Sequence, residues 1–160
     1  MSSHLEDLLC EFYEWQGYIV RRNIRVGRLA HGGWEGELDI VAYDPISKAL
    51  IHLEPSLDAH RWSRREERFT RKFRVGRKYI FKDVLPWLKP STALKQRAVL
   101  ISRGTRTEIG GGEIITIDES IKEIRDAVRA EGKLSKRAIS ERFPLLRTIQ
   151  TVECGYSRRL

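Results

Sequence analysis

The 160-residue sequence predicts an α/β domain built on a single mixed β-sheet flanked by helices. Three observations predict it. Helical and strand patterns follow one another in the order helix, three strands, helix, strand, strand, helices. The second and third strands are joined by a short polar turn at Asp44-Pro45, which makes them an antiparallel hairpin. The hydrophobic share, 41% of residues, is enough for a core in a chain too short for two ordinary domains.

The first element is helical from His4 to Gln16, with Leu5, Leu8, Leu9, Phe12 and Trp15 on one face. Ser2 or Ser3 is placed to cap it, Glu6 and Asp7 suit the positive end of its dipole, and Gly17 ends it. Tyr18 to Val26 reads as a strand, the HGGW run at His31 to Trp34 as a flexible connection, and Glu35 to Tyr43 and Ala49 to Leu57 as the two hairpin strands. Asp58 to Val84 is a long helix anchored by Trp62, Phe69, Phe73 and Tyr79 or Ile80, stopped by Pro86 and Pro90. Arg97 to Ser102 is a strand of buried type, Arg103 to Gly112 a Gly-rich loop, and Ile114 to Ile117 a short strand. Glu119 to Ala130 is a helix capped by Asp118, and Ser135 to Arg142 a further helix. Phe143 to Leu160 has no firm secondary-structure reading, although Phe143 to Gln150 is apolar enough to dock on the body. The chain thus divides into a core, residues 1–118, and a helical extension, residues 119–160, packed on it as one domain.

Thirty Lys and Arg against 22 Asp and Glu leave a formal net charge of +8. Such a surface attracts polyanions, of which nucleic acid is the commonest and an anionic membrane the other candidate. Cys10 and Cys154 make neither a disulfide framework nor a zinc motif, so a reducing compartment is the default. Met1 to Asp7 is polar with no apolar segment after it, and no apolar run approaches the ~18 residues that span a bilayer. The expectation is a cytoplasmic protein with no membrane partner.

The hairpin carries the chemistry. Strand alternation puts Glu37, Asp39, Val41 and Tyr43 on one face, with Leu38, Ile40 and Ala42 on the other. In the next strand His52, Glu54 and Ser56 share a face opposite Ile51 and Leu53. Asp39 and Glu54 therefore sit in otherwise apolar strands, and a buried carboxylate needs a partner cation, either an arginine or a metal ion. Glu11, at the edge of the first helix's apolar stripe, is a third carboxylate, with Glu14 as its alternative. Three converging carboxylates would suit Mg²⁺ or Mn²⁺, the ions of phosphodiester hydrolysis. His52 reads as a hydrogen-bonded strand histidine sooner than a ligand, and His60 as a residue within reach of a phosphate.

The run GELDIVAYDPISKALIHLEPS, Gly36 to Ser56, resembles the signature of the PD-(D/E)XK, or restriction-endonuclease-like, nucleases. The helix carrying Glu11, with GYIV at Gly17 to Val20 after it, resembles that family's opening element, and the likeness covers the first two-thirds of the chain by element order. The resemblance implies a restriction-endonuclease-like αβββαβ core with C-terminal helices. It implies that Asp39 and Glu54 hold a divalent Mg or Mn ion, assisted by Glu11 and the carbonyl of Pro55. It also implies metal-dependent DNA endonuclease activity, with no small-molecule cofactor besides the metal. The sequence departs from the pattern at Ser56, where the family has a catalytic lysine. Serine carries no positive charge. Either a cation from the following helix replaces it, Lys72 first and then Lys78 or Arg65, or the domain is a catalytically degenerate DNA-binding module.

On that helix Arg61, Arg64, Arg65, Arg68 and Arg71 or Lys72 form a stripe at helical spacing, with Lys78 further along. Arginine forks suit phosphates, and such contacts give affinity and register without reading sequence. A solvated face with local glutamate pairs is the plain alternative. Glu119 to Arg142, helix-turn-helix by spacing, could dock in a major groove or be two packing helices. A duplex-cutting enzyme with one site per chain would act as a homodimer, but no interface is visible in the sequence.

Overall fold

The structure, a computed structural model, describes residues 3–157. Six strands form one sheet: β1 (Ile19–Arg28), β2 (Trp34–Tyr43), β3 (Leu50–Ser56), β4 (Leu94–Leu100), β5 (Glu108–Ile109) and β6 (Gly112–Thr116). Their order across the sheet is β1-β2-β3-β4-β6-β5. The first three run antiparallel, β3, β4 and β6 are parallel, and β5 returns antiparallel to β6. This is the mixed α/β architecture expected. Helix α1 (His4–Trp15) precedes the sheet, α2 (Trp62–Tyr79) makes the crossover from β3 to β4, and α3 (Ile117–Glu131), α4 (Leu134–Arg137) and α5 (Pro144–Cys154) follow it. Among the described residues no helix is long and apolar enough to cross a membrane.

The two sides of the sheet are covered differently. Leu5, Leu9, Phe12 and Tyr13 of α1 pack on Ile40, Ala42, Ile51 and Leu53, joined by Ile124 and Val128 of α3 and Leu146 of α5. The C-terminal helices thus share the core of residues 1–118. The opposite side belongs to α2. Val75 and Tyr79 pack against Val26, Leu38, Val41 and Leu50, and Phe69 and Phe73 against Ala98, Leu100 and Ile114. Beyond Tyr79 the helix widens into a π-helical turn, Ile80–Val84, closed by the Leu85 amide on the Ile80 carbonyl at 2.8 Å.

Strand alternation fails at one place. Leu38 packs with Val41 and Tyr43 on the α2 side, whereas Ile40 and Ala42 face α1. The facing strand changes sides at the same level: Val20 packs toward α1, Ile24 and Val26 toward α2. Asn23, between the Arg22–Ile40 and Ile24–Leu38 pairs, has φ of 52°. One left-handed residue rotates the ribbon, so Leu38 does not share the face of Ile40 and Ala42 as regular alternation expects.

Other boundaries also moved. Ser3 caps α1 through the Glu6 amide, and Ser2 lies outside the described residues. Helix α3 is capped by Thr116, not Asp118: the Thr116 hydroxyl accepts from the Glu119 amide and the Glu119 carboxylate accepts from the Thr116 amide. The expected helix over 135–142 shrinks to the four residues of α4, which leaves no second long helix for a helix-turn-helix. Residues 144–154, left without assignment by the sequence, form α5. Within the Gly-rich run at 103–112, Glu108 and Ile109 pair with β6.

Candidate active site

Asp39 of β2 and Glu54 of β3 lie on the α2 side of the sheet, and the alternation of β3 brings His52 to the same side. Helix α2 crosses above them and lowers Lys72 between the two carboxylates. Its Nζ donates to Asp39 Oδ2 at 2.8 Å and also to Glu54 Oε2. Glu54 is fully buried, while Asp39 keeps 15% and Lys72 30% of its side chain exposed, and Lys72 lines a cleft along α2. Glu54 Oε1 accepts from His52 Nε2 at 2.8 Å and from the Asp39 amide at 3.3 Å.

A buried chain of hydrogen bonds fixes which end of each group faces which. Arg77 Nη1 donates to Gln96 Oε1 at 2.6 Å, so the other end of Gln96 is its amide nitrogen. That nitrogen donates to the Phe73 carbonyl at 2.9 Å and to His52 Nδ1 at 3.0 Å. With Nδ1 accepting, His52 carries its proton on Nε2 and donates it to Glu54. Helix α2 reaches this chain only because residue 76 is glycine: a Cβ there would stand 2.4 Å from His52 Nδ1.

The two carboxyls are pushed apart in acidity. Burial raises Asp39, the adjacent Glu54 carboxylate raises it further, and together they outweigh Lys72 and bring it to about 8. Glu54 is buried more deeply, which works against its charge, yet the His52 bond and the Lys72 ammonium hold it at about 2. Lys72 itself is raised: desolvation is overcome by the two carboxylates. Glu54 is the ionised member of the pair, and Asp39 is the one that binds a proton when no further cation is present.

Glu11 is not part of this cluster. Its Oε2 accepts from the Leu145 and Leu146 amides at 2.9 and 3.2 Å, capping α5 on the opposite side of the sheet. The sequence placed it at the edge of the α1 stripe correctly, but α5, whose first-turn amides need an acceptor, claims it. Its alternative Glu14 pairs with Arg142 at 3.6 Å. No group of three or more His, Cys, Asp or Glu suited to a metal ion occurs among the described residues. Asp39 and Glu54 are two, and Pro55 follows Glu54 opposite Val99 of β4.

Ser56 turns to another partner set. Its hydroxyl donates to Asp58 Oδ2 at 2.7 Å and accepts from Arg68 Nη2 at 2.7 Å. The cation beside the serine is therefore Arg68, held by the Asp58 carboxylate as well. Neither Asp58 nor this role of Arg68 was singled out from sequence. The signal available was Asp58, two residues beyond Ser56, where an Asx or Ser turn is favoured.

The arginine stripe is not uniform. Arg61, Arg64 and Arg71 are exposed, and Arg71 Nη2 reaches the Glu35 carbonyl at 3.4 Å. Arg65 instead is buried, 6% exposed, and stacks 4.5 Å over the Trp62 ring. Lys78 lies away from the carboxylates and pairs with Glu35 at 2.8 Å. A cleft of about 440 Å³ runs from Gly36 and Glu37 along α2, lined by His60, Arg64, Arg65, Arg68, Arg71 and Lys72. His31 lies exposed in the β1–β2 turn.

Scans of family models, curated proteins and solved structures find no match to this chain.

Proposed function

We propose that the chain is a divalent-metal-dependent DNA endonuclease of the restriction-endonuclease-like kind. The observation that carries this reading is the convergence of Asp39 Oδ2 and Glu54 Oε2 on one cation, the Lys72 ammonium, whose residue also lines a basic cleft. Two hard carboxylate oxygens that share a positive charge fit Mg²⁺ or Mn²⁺, which bind through one or two carboxylates and complete their shell with substrate phosphates. Such an ion supplies Lewis acidity toward a phosphoryl oxygen and stabilises the departing oxygen.

The residues of the chain do the rest. Glu54 is held ionised and in one orientation by the Nε2–H of His52. Asp39, partly exposed beside Glu54, would be the second carboxylate to hold the ion. Lys72, released from the carboxylates, has a flexible stem and an open side, and its ammonium turns to a phosphate oxygen or the attacking water. That replaces the lysine that Ser56 lacks. Hydrolysis adds water across the P–O bond: the water oxygen joins phosphorus, the ester oxygen leaves, and one proton goes to each product side.

A second reading is favoured by a specific observation. The ammonium already balances the charge of Glu54 and bonds to Asp39, as a retained ion pair in a DNA-binding module without catalysis would have it. One experiment separates the two. Under the nuclease reading, supercoiled plasmid and linear DNA are cut with Mg²⁺ or Mn²⁺, chelation stops cutting, and Asp39→Asn and Lys72→Met each slow it by about 10²-fold or more. Lys72→Met should also bind Mn²⁺ more tightly than the parent, because the internal cation has gone. Metal-independent cutting, or none of any duplex or branched DNA by folded protein, rejects catalysis. Salt-sensitive DNA binding that persists without cutting then supports the module.

A further inference from the structure

We infer that the cleft beside the carboxylates holds a built phosphate site centred on Arg65 and Arg68, separate from the position where a bond would be cut. It deepens the nucleic-acid reading above and rests on it for the identity of the strand, but not on catalysis. Arg65 is 6% exposed, touches the cleft, and leaves Nε and Nη2 without a hydrogen-bond partner among the described residues; Arg68 Nε is likewise buried and unpartnered among them. Buried guanidinium donors are rarely left so, because their desolvation goes uncompensated.

Asp58, the acid that pairs with both arginines, does not complete them. Asp58 Oδ2 is occupied by the Ser56 hydroxyl and by Arg68, and Asp58 Oδ1 accepts from the His60 amide at 3.3 Å and stands 3.7 Å from Arg65 Nε. Three donors thus remain for an acceptor with several oxygens of its own, and a phosphate group is that ligand. Trp62 braces the site: Arg65 stacks on it at 4.5 Å and Arg106 at 4.9 Å. Arg64 and His60 line the same cleft beside it, and the acids there are Glu37 and Glu67. Arg68 and Arg65 lie four and seven residues before Lys72, about 6 and 10 Å along the helix axis. A strand whose reacting phosphate met Lys72 would therefore bring a different phosphate to Arg65. The group is either an internal diester of that strand or a terminal monoester.

The test is made in chelator with the Asp39→Asn protein, so that cutting plays no part. Short oligothymidylates with a 5′-phosphate or a 5′-hydroxyl are titrated across a salt series, with the parent and with Arg65→Met. An internal-phosphate site predicts equal binding of both oligonucleotides, weakened about tenfold by Arg65→Met, with the slope of log K against log salt smaller by about 0.7. A terminal site predicts tighter binding of the 5′-phosphorylated strand only, a preference that Arg65→Met removes. If Arg65→Met does not fold, the Nε–H signals of Arg65 and Arg68 in the parent are followed by NMR on exchange of chloride for inorganic phosphate at matched ionic strength. Shifts in both support the site. Unchanged affinity and slope in folded Arg65→Met, or unmoved Nε–H signals, overturn it. Phosphate binding that survives while the parent cuts no DNA sinks the nuclease reading alone.

Discussion

At Gly76 the backbone of helix α2 lies against the buried His52 ring, and the missing side chain lets the helix seat over the strand that carries Glu54. A methyl group there would collide with His52, which is fully buried and tied at both ring nitrogens. Alanine ordinarily strengthens a helix by about 1 kcal/mol relative to glycine. Here overpacking should reverse the sign, and Gly76→Ala is expected to destabilise by about 1–3 kcal/mol in urea unfolding. Asn23 offers the contrasting case. Its φ of 52° suits Asn or Gly, so Asn23→Gly should be nearly neutral and Asn23→Val should cost about 1–2 kcal/mol by the same measurement. Asp58 gives a pH signature. Partial burial works against its charge, but the Ser56 hydroxyl, Arg68 and the His60 amide hold it at about 2, below the ~3.9 of an unfolded aspartate. A depressed folded-state pKa contributes stability that is complete above about pH 4 and is lost as pH falls toward 2. Asp58→Asn should therefore flatten the acid limb of the stability curve between those values and change little of its shape near neutrality. At this scale the meeting of Asp39, Glu54 and Lys72 was legible in the sequence, because carboxylates inside apolar strands, which need a cation, are local facts. Glu11 was misread, since its partner is the start of a helix 134 residues away that the sequence did not reveal.

The elements differ in how plainly the chain announces them. The β2–β3 hairpin and α2 are strongly patterned; the hairpin strands lie within a residue of their expected bounds, whereas α2 begins at Trp62, four residues after the expected Asp58, and passes into the π-helical turn after Tyr79. Two-residue β5 has no periodicity to read, and it exists because β6 offers it an edge. The C-terminal helices were harder for a physical reason: their connection is held by a side chain and not by a local pattern. Buried Gln150 donates to the carbonyls of Gly132 and Arg137 and accepts from the Ile139 amide at 2.8–2.9 Å. It turns what would be a helix over 135–142 into a short turn followed by extended chain. Gln150→Leu should strand these backbone groups and cost about 2–4 kcal/mol. A melting curve checks it, and DNA binding by the variant that still folds should match the parent, because Gln150 lies on the α1 side of the sheet. Glu11→Ala removes the side-chain acceptor of the Leu145 and Leu146 amides at the first turn of α5, an effect of about 1 kcal/mol. Unlike a ligand substitution, it should leave Mn²⁺ affinity unaltered. A weakened Mn²⁺ affinity would return Glu11 to the site.

At the scale of the whole molecule, the candidate site and the largest core cluster lie on opposite sides of the sheet. One side is an apolar layer of α1, α3 and α5; the other carries α2, the carboxylates and the basic cleft. The division was partly legible, since strand order and the basic character of α2 follow from the sequence. Which side each helix takes depends on long-range packing that no local window contains. With a net charge of +8, DNA binding is expected to weaken about 10³-fold or more between 50 and 200 mM salt if six or more phosphates are engaged. A flat salt response would remove DNA as the partner. The same protein should melt at an unchanged temperature in excess chelator, because the carboxylates are already balanced from within.

That inner balance has a consequence for how the protein would meet divalent ions. A rival fastened to the same backbone cannot be diluted away. Any incoming Mg²⁺ or Mn²⁺ must outcompete an amine whose local abundance is set by a few covalent bonds, so the half-saturating ion concentration is inherited from the chain and is indifferent to how much protein is present.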